Sequence, residues 1–472
     1  MDTPIKFGTD GWRGIIADDF TFGNVARCSQ GLADYLRAEG SAGNGLVVGY
    51  DTRFASREFA ETVASVIAGN GIAVHLCVEP APTPVVSHEV VQLGAAGGVV
   101  VTSSHNPAAW SGFKFKSAQG GSASQAVTDL LELCIDSAGS PKTLPLEAGR
   151  DAGLVHDIDP APAYRESIAR LVNLDVIRAA GLTVMVDAMH GAGAGYIPGL
   201  LKGGTTSITE LRSEVNPAFP GMAQPEPIAH NLAELCRRVP AEGASAGLAL
   251  DGDADRIGLV DETGRFVSTL EVFSLLALYL LERGDRGALV KGVTASVMLN
   301  KLAQRYSVDI AEMPVGFKNI GPRFVADDAL LGGEESGGYA FRGHIPERDG
   351  ILSGLYLLEY MAVAGLTASG MVRRLFDLVG EHRYQRRDVA FDPAQRSAIM
   401  ERLVESPLSE LAGMPVRGMD EIDGRRWMLD AGWVAARFSG TEPLLRIYCE
   451  ADTEANVTGL LDAMQAHLGV AN

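Results

Sequence analysis

The sequence predicts an α/β chain of four units, three built alike and the last a smaller α+β unit, and three observations lead there. A short apolar run collapses into a polar, glycine-rich segment at "AAGGVVVTSSHNP", "AGLALDGDADR", "DALLGGEESGG" and "GWVAARFSGTEP", the pattern of a strand ending in a loop. Helical patterns such as "SREFAETVASVIAGNG", "NLAELCRRV" and "LEVFSLLALYLLERG" lie between the strands of the first three units. The final stretch differs: "DEIDGRRWMLDAGWVAARFSGTEPLLRIYCEA" followed by "TEANVTGLLDAMQAHL" reads as antiparallel strands closed by a helix.

In chain order, "GLVVGYDTR", "LTVMVDAMHGAG" and "GALVKGVTAS" are continuous apolar runs, the mark of parallel strands buried on both faces. With helices between them they form βαβ units, whose ligands bind at the carboxyl ends of the strands. The Pro- and Gly-containing "SAGSPKTLPLEAGRDAG", the turn "VDETGRF" and the stretch near 376–390 serve as boundary signals. They divide the chain into 1–145, 146–258, 259–375 and 376–472.

At 472 residues, 46% hydrophobic and 21% charged, with 55 glycines, the composition is that of a globular α/β protein with many turns. A net charge of −19 argues against nucleic acid or an anionic membrane as partner, because both reward a basic surface. An anion site must then be a local cluster of Arg and Lys. The five cysteines are scattered without a C-x-x-C pair, as expected of reduced thiols in a cytoplasm. Apolar runs such as "FSLLALYLL" fall short of the ~20 residues a membrane span needs. The expectation is a soluble cytoplasmic protein.

"DGDADR" is the most specific segment. Read as an extended loop, it turns the carboxylates of Asp251, Asp253 and Asp255 to one side. Three carboxylates that close repel unless a hard divalent cation sits among them, and Mg²⁺ takes such oxygen ligands. Arg256 follows, able to grip a phosphate oxygen. A calcium loop of the D-x-D-x-D-G kind needs Gly where Arg256 stands. Lys114 and Lys116 in "WSGFKFK" are further cations for an anionic ligand.

Ser103 and Ser104 beside His105 suggest a nucleophilic hydrolase, but the flanking glycines of a G-x-S-x-G elbow are missing. Neighbouring side chains of an extended segment point to opposite faces, which places His105 poorly to deprotonate Ser104. A capping serine and a serine carrying a phosphoryl group are the other readings. "VMVDAMHGAGAG" imitates a dinucleotide fingerprint, but its third glycine position holds Tyr196.

Taken together, "GTDGWRG" (8–14), "TSSHNP" (102–107), "DGDADR" (251–256), "GEESGG" (333–338) and "RFSGTEP" (437–443) resemble the α-D-phosphohexomutases, across nearly the whole chain. The resemblance implies three similar mixed-sheet α/β domains and a smaller C-terminal α+β domain around a central cleft. It implies a reversible shift of phosphate between C1 and C6 of a hexose, through a hexose 1,6-bisphosphate that is intermediate and activator. Ser104 matches the phosphoserine, and Asp251, Asp253 and Asp255 match the Mg²⁺ ligands, joined by a phosphoserine oxygen. Arg13 and Lys114 match positions near the transferring phosphate, where Arg256 also stabilises charge, and the acid/base is Lys114 or His105. Glu334 and Ser336 resemble the readers of the sugar hydroxyls; Lys318, His344 and Arg348 match substrate-facing segments. Arg437, Ser439, Gly440, Thr441 and Arg446 resemble the loop for the non-transferring phosphate.

The implied partner is a small sugar phosphate, bound by a monomer or dimer. Some dual-specificity members carry His where Gly338 stands, and phosphoglucosamine mutases typically show Gln in place of Glu335, so the pattern leans to glucose phosphates. A Mg²⁺-dependent phosphatase and a non-catalytic sugar-phosphate sensor are the competing readings. Intact chemical loops argue against the sensor.

Overall fold

The computed structural model describes residues 5–8, 11–405, 408–438 and 444–470. Each of the first three apolar repeats becomes the centre of a sheet. The first sheet contains β1 (Trp12–Ile15), β2 (Leu46–Tyr50), β3 (Val74–Cys77), β4 (Gly97–Val101), β5 (Trp110–Ser117) and β6 (Val155–Ile158), in the order β1-β5-β4-β2-β3-β6. The second contains β7 (Thr183–Asp187), β8 (Ser207–Leu211), β9 (Ala246–Leu250), β10 (Ile257–Asp261) and β11 (Phe266–Val267), ordered β11-β10-β9-β7-β8. The third contains β12 (Leu289–Gly292), β13 (Ile310–Met313), β14 (Leu331–Gly333) and β15 (Tyr339–Phe341), ordered β13-β12-β14-β15.

One topology is therefore used three times. Three parallel strands are followed by an antiparallel one: β4 to β5, β9 to β10, and β14 to β15. The loop at that reversal is in each case a chemical motif, "TSSHNP", "DGDADR" or "GEESGG". The central strands β2, β4, β7, β9 and β12 are buried almost throughout, as their unbroken apolar runs require.

The fourth sheet is antiparallel throughout: β16 (Arg383–Ala390), β17 (Glu410–Leu411), β18 (Met414–Asp420), β19 (Arg425–Leu429), β20 (Gly432–Phe438) and β21 (Leu444–Ala451), ordered β16-β21-β20-β19-β18-β17. The helix Glu454–Leu468 packs its Leu460, Leu461, Met464 and Leu468 on this sheet's core. The architecture is thus three similar α/β units and a smaller C-terminal one.

A sheet, a strand and a helix in turn run across the three expected boundaries. β6 lies beyond residue 145 yet pairs with β3, so the first sheet extends through the expected linker. The break at 258/259 falls inside β10, because the "VDETGRF" turn joins β10 to β11 within the second sheet. The break at 375/376 falls inside the helix Ala368–Val379. A loop's turn chemistry marks where the chain reverses, and strand pairing decides to which sheet it returns.

The second and third units share one apolar core around the helices Thr269–Glu282 and Gly350–Ala364. That accounts for the run "FSLLALYLL", whose residues are buried on every side. Among the described residues no single helix is long and apolar enough to cross a membrane.

Candidate active site

The three reversal loops meet, and their contacts are made by buried charges. Ser104 has φ +50, a left-handed conformation that costs a non-glycine residue about 1–2 kcal/mol. The loop is held there by a scaffold from the end of β2. Asp51 accepts from Thr102 Oγ1 at 2.6 Å and from Arg53 Nε at 3.1 Å, and the Ser104 N–H donates to Thr102 Oγ1 at 2.8 Å. The Arg53 guanidinium donates to the carbonyls of Pro107 and Trp110 through Nη1, and of Ser104 and Asn106 through Nη2. Arg53 and Asp51 side chains are both fully buried, so neither charge is tolerable without the other.

Left-handed Ser104 corrects one expectation. The segment is not extended there, and His105 Nδ1 comes to 3.3 Å from Ser104 Oγ rather than facing away. Burial first, then the charges of Arg256, Arg13, Lys114 and Arg348, hold the imidazole well below its ordinary range. Ser103 Oγ is buried without a hydrogen-bond partner, whereas Ser104 Oγ donates to Asp251 Oδ2 at 2.7 Å.

The aspartate loop is likewise a turn and not an extended segment. Ala254 adopts φ +57, and that kink gathers Asp251, Asp253 and Asp255, which can each offer an oxygen within 4.8 Å of the others. A Cβ on Gly252 would lie 2.5 Å from the Ser104 carbonyl oxygen, so only glycine lets the two loops approach this closely. The glycine-rich "MHGAGAG" segment proves to be a prop: Thr52 Oγ1 donates to the His190 carbonyl, and the Ala192 N–H to the Gly252 carbonyl.

All three carboxylates are fully buried. Lys114 Nζ lies 2.8 Å from Asp253 and 3.5 Å from Asp255, and Arg348 Nη2 lies 2.8 Å from Asp255. Thr83 Oγ1 donates to Asp253 at 2.6 Å. Burial and then the neighbouring aspartates push Asp251 well above the usual carboxylate range; Asp255 is also raised by burial, with Arg348 opposing. Burial acts most strongly on Asp253 too, but Lys114, Thr83 and Arg348 together outweigh it and hold that carboxyl low. Asp253 Oδ1 and Asp255 Oδ1 accept no hydrogen bond. Buried, mutually repelling carboxylates with unused oxygens fit a hard divalent cation such as Mg²⁺.

The other predicted residues fall into two groups. Arg13 Nη1 donates to Asn106 Oδ1 at 2.7 Å, and Arg256 Nη1 to Glu226 Oε1 at 2.8 Å, both beside the serine loop or the aspartate loop. Glu334 accepts from the Gly316 N–H at 3.0 Å, and Arg348 Nη1 lies 3.7 Å from its other oxygen. Burial pushes Glu334 up to about 7, with Arg348 opposing and Glu335 adding. Ser336 is half-buried one residue further along the same loop than Glu335. Lys318 Nζ crosses from the third unit to Gln125 Oε1 of the first at 2.6 Å.

Arg437 pairs with Asp423 at 3.0 Å and Arg446 with Asp388 at 3.8 Å in the fourth unit. Ser439, Gly440 and Thr441 lie outside the described residues. Two expectations are corrected. His344 has a side chain only 1% exposed, its Nε2 2.9 Å from Asp349 and its ring beside Tyr164 and His88, so it braces an interface instead of facing substrate. Lys116 is committed to Glu347 Oε2 at 2.8 Å, a buried pair that leaves its charge already matched.

Sequence reading missed Asp51, Arg53, Thr83, Glu226 and Glu347. The available signal was position: Asp51 and Arg53 directly follow a wholly buried strand, where a charge is unaffordable without a partner. Glu347, fully buried, binds Lys116 through one oxygen and Arg348 Nε through the other, which aims Arg348 at Asp255.

Models of phosphoglucomutase/phosphomannomutase α/β/α domains I, II and III match residues 4–142, 162–264 and 270–379, and that of the C-terminal domain matches 394–467. A phosphoglucomutase/phosphomannomutase of Thermococcus kodakarensis is 30% identical over 97% of this chain and 96% of its own. A protein of Methanothermobacter thermautotrophicus, provisionally named phosphoglucosamine mutase, is 31% identical over 98% of both chains. A crystal structure from Thermus thermophilus, provisionally described as a phosphomannomutase, superposes with a TM-score of 0.88 at 34% identity, covering 99% of this chain and 100% of that one. With four matched domains in order and this site between them, the chain belongs to the phosphoglucomutase/phosphomannomutase family, the α-D-phosphohexomutases, and is a mutase of carbohydrate metabolism in the isomerase class.

Proposed function

We propose that the protein interconverts hexose 1-phosphate and hexose 6-phosphate through a phosphoryl group carried on Ser104, with glucose phosphates preferred. The observation that carries this reading is the 2.7 Å bond from Ser104 Oγ to Asp251, which sets a serine of the first unit on the acidic triad of the second. Ser104 would hold the phosphoryl group; Asp251, Asp253 and Asp255 would hold Mg²⁺, which when bound neutralises charge on the transferring group. Phosphate monoesters hydrolyse extremely slowly unaided, so a phosphoserine is a durable store.

His105 Nδ1, 3.3 Å from Ser104 Oγ, stands within reach of a proton at that atom. Lys114, committed to Asp253, serves as a fixed positive charge. Glu334 and Ser336 would receive the sugar hydroxyls, and Arg437 and Arg446 the phosphate that is not being transferred. One phosphate grip accepting either end of the sugar requires the hexose 1,6-bisphosphate to turn over between half-reactions. The preference for glucose rests on Glu335 and on Gly338, where a Cβ would lie 2.5 Å from Arg348 Cδ. The Arg348 stem takes the room a side chain at 338 would need.

The test is a steady-state comparison of glucose, mannose and glucosamine 1-phosphates, each with its 1,6-bisphosphate. Glucose 1-phosphate is expected to give the highest kcat/KM. Free phosphate released in step with substrate consumption would make the protein a phosphatase, and a higher kcat/KM for mannose or glucosamine 1-phosphate would overturn the sugar assignment.

A further inference from the structure

Among the described residues Arg437 of the fourth unit and Glu334 of the third make no direct hydrogen bond or ion pair, yet one carboxylate stands between them. Asp423 follows β18 in the turn to β19. Its Oδ1 accepts from Arg437 Nε at 3.0 Å, and its Oδ2 accepts from the Val315 N–H, also at 3.0 Å. The next backbone N–H, of Gly316, donates to Glu334 Oε1 at 3.0 Å. Two successive amides of one short loop after β13 therefore point to two carboxylates, one from each unit.

From this juxtaposition we infer that Asp423 is a positioning residue that registers the phosphate grip of the fourth unit to the sugar reader of the third. The inference rests on the proposed function for the roles of Arg437 and Glu334. A guanidinium held at Nε by a fixed carboxylate keeps Nη1 and Nη2 as a planar fork of set orientation, the geometry a phosphate requires. Because the second oxygen of that carboxylate holds Val315, a displacement of the 314–316 loop moves both the fork and Glu334. The distance between phosphate and hydroxyls along a hexose is fixed, so a shared anchor favours ligands of that length. The packing beside it is already tight: Arg426 donates to the Val293 carbonyl at 3.0 Å, and Ser296 and the Val297 N–H both donate to buried Glu450. Those contacts join the two units, and Asp423 alone among these groups touches a predicted phosphate residue.

The experiment is a double-mutant cycle of Asp423→Asn and Glu334→Gln in the full-length enzyme, read on kcat and KM for glucose 1-phosphate. Asp423→Asn loses one charge-assisted bond, and KM is expected to rise about tenfold or more, with kcat changed less. The two substitutions are expected to be non-additive in kcat/KM by about fivefold, although the side chains do not meet. A fall in kcat at unchanged KM, the signature of lost folded enzyme, would overturn the inference, as would additive effects. If wild-type protein converts none of the three hexose 1-phosphates, the proposed function fails. The same cycle read on the Kd of glucose 1-phosphate then decides the role of Asp423.

Discussion

The serine and aspartate loops and the fourth unit hold charge in opposite ways. Around Ser104 and the triad the ion pairs are sealed: Arg53 with Asp51 and Lys114 with Asp253 are 0% exposed. In the fourth unit the Arg446–Asp388 pair is open, at 27% and 31%, while Arg437 and Asp423 are less exposed, at 17% and 20%. Sealed charges in a low-dielectric setting interact strongly and do not reorganise, which suits stabilisation of a transferring phosphoryl group. An open charge such as Arg446 exchanges partners cheaply, whereas Arg437 keeps its orientation on Asp423.

Substitutions can break this contrast, and the largest effect is expected at Ser104. Ser104→Ala should reduce turnover on the order of 10⁶-fold, the scale at which loss of a nucleophile registers, while Ser103→Ala keeps most activity; equal losses would show that the wrong serine is assigned. Arg53→Ala leaves Asp51 buried and unpaired, and should destabilise the first unit by about 3–5 kcal/mol, seen as an early transition in thermal melting. An unchanged melt would show that the scaffold does not hold the loop.

Glu334 tests the sealed side by pH. Its carboxyl is raised to about 7, so between the ordinary range and that value the folded chain keeps a proton the unfolded chain has released. Stability contributed by the protonated form is present at low pH and is lost as pH rises through about 7, by up to about 3 kcal/mol. Glu334→Gln should flatten that decline in melts from pH 5 to 8; an identical slope would place the titration elsewhere. Asp253→Asn removes a carboxylate proposed to hold Mg²⁺ directly and is expected to weaken Mg²⁺ affinity, by more than the ~10- to 100-fold that loss of an outer partner costs, measured by Mg²⁺ titration of activity. On the open side, Arg417→Ala removes a pair whose partners are 58% and 65% exposed, and should leave both melting and kinetics unchanged.

Much of this was legible because a buried parallel strand imposes an unbroken apolar run, and its abrupt end marks a loop at a carboxyl edge. The runs before "TSSHNP", "DGDADR" and "GEESGG" thus located three of the site loops. Local spacing was a poorer guide to side-chain direction. Ser104 and Ala254 adopt left-handed backbone that no alternation rule anticipates, since each is imposed by what packs around it. His105 consequently turns toward the serine, and the triad converges by a kink instead of by alternation.

The sequence by itself determined the repeated strand-and-loop units, the residue types at each loop, and therefore the class of chemistry, because these depend on local hydrophobic pattern and on what carboxylates, hydroxyls and guanidinium groups can do. Tertiary structure alone decided which charges neutralise one another. Lys116 goes to Glu347, Lys114 to Asp253 and Arg53 to four carbonyls, pairings between segments far apart in the chain. A buried charge must find a partner somewhere, and the sequence states the need while only the packed fold supplies the partner.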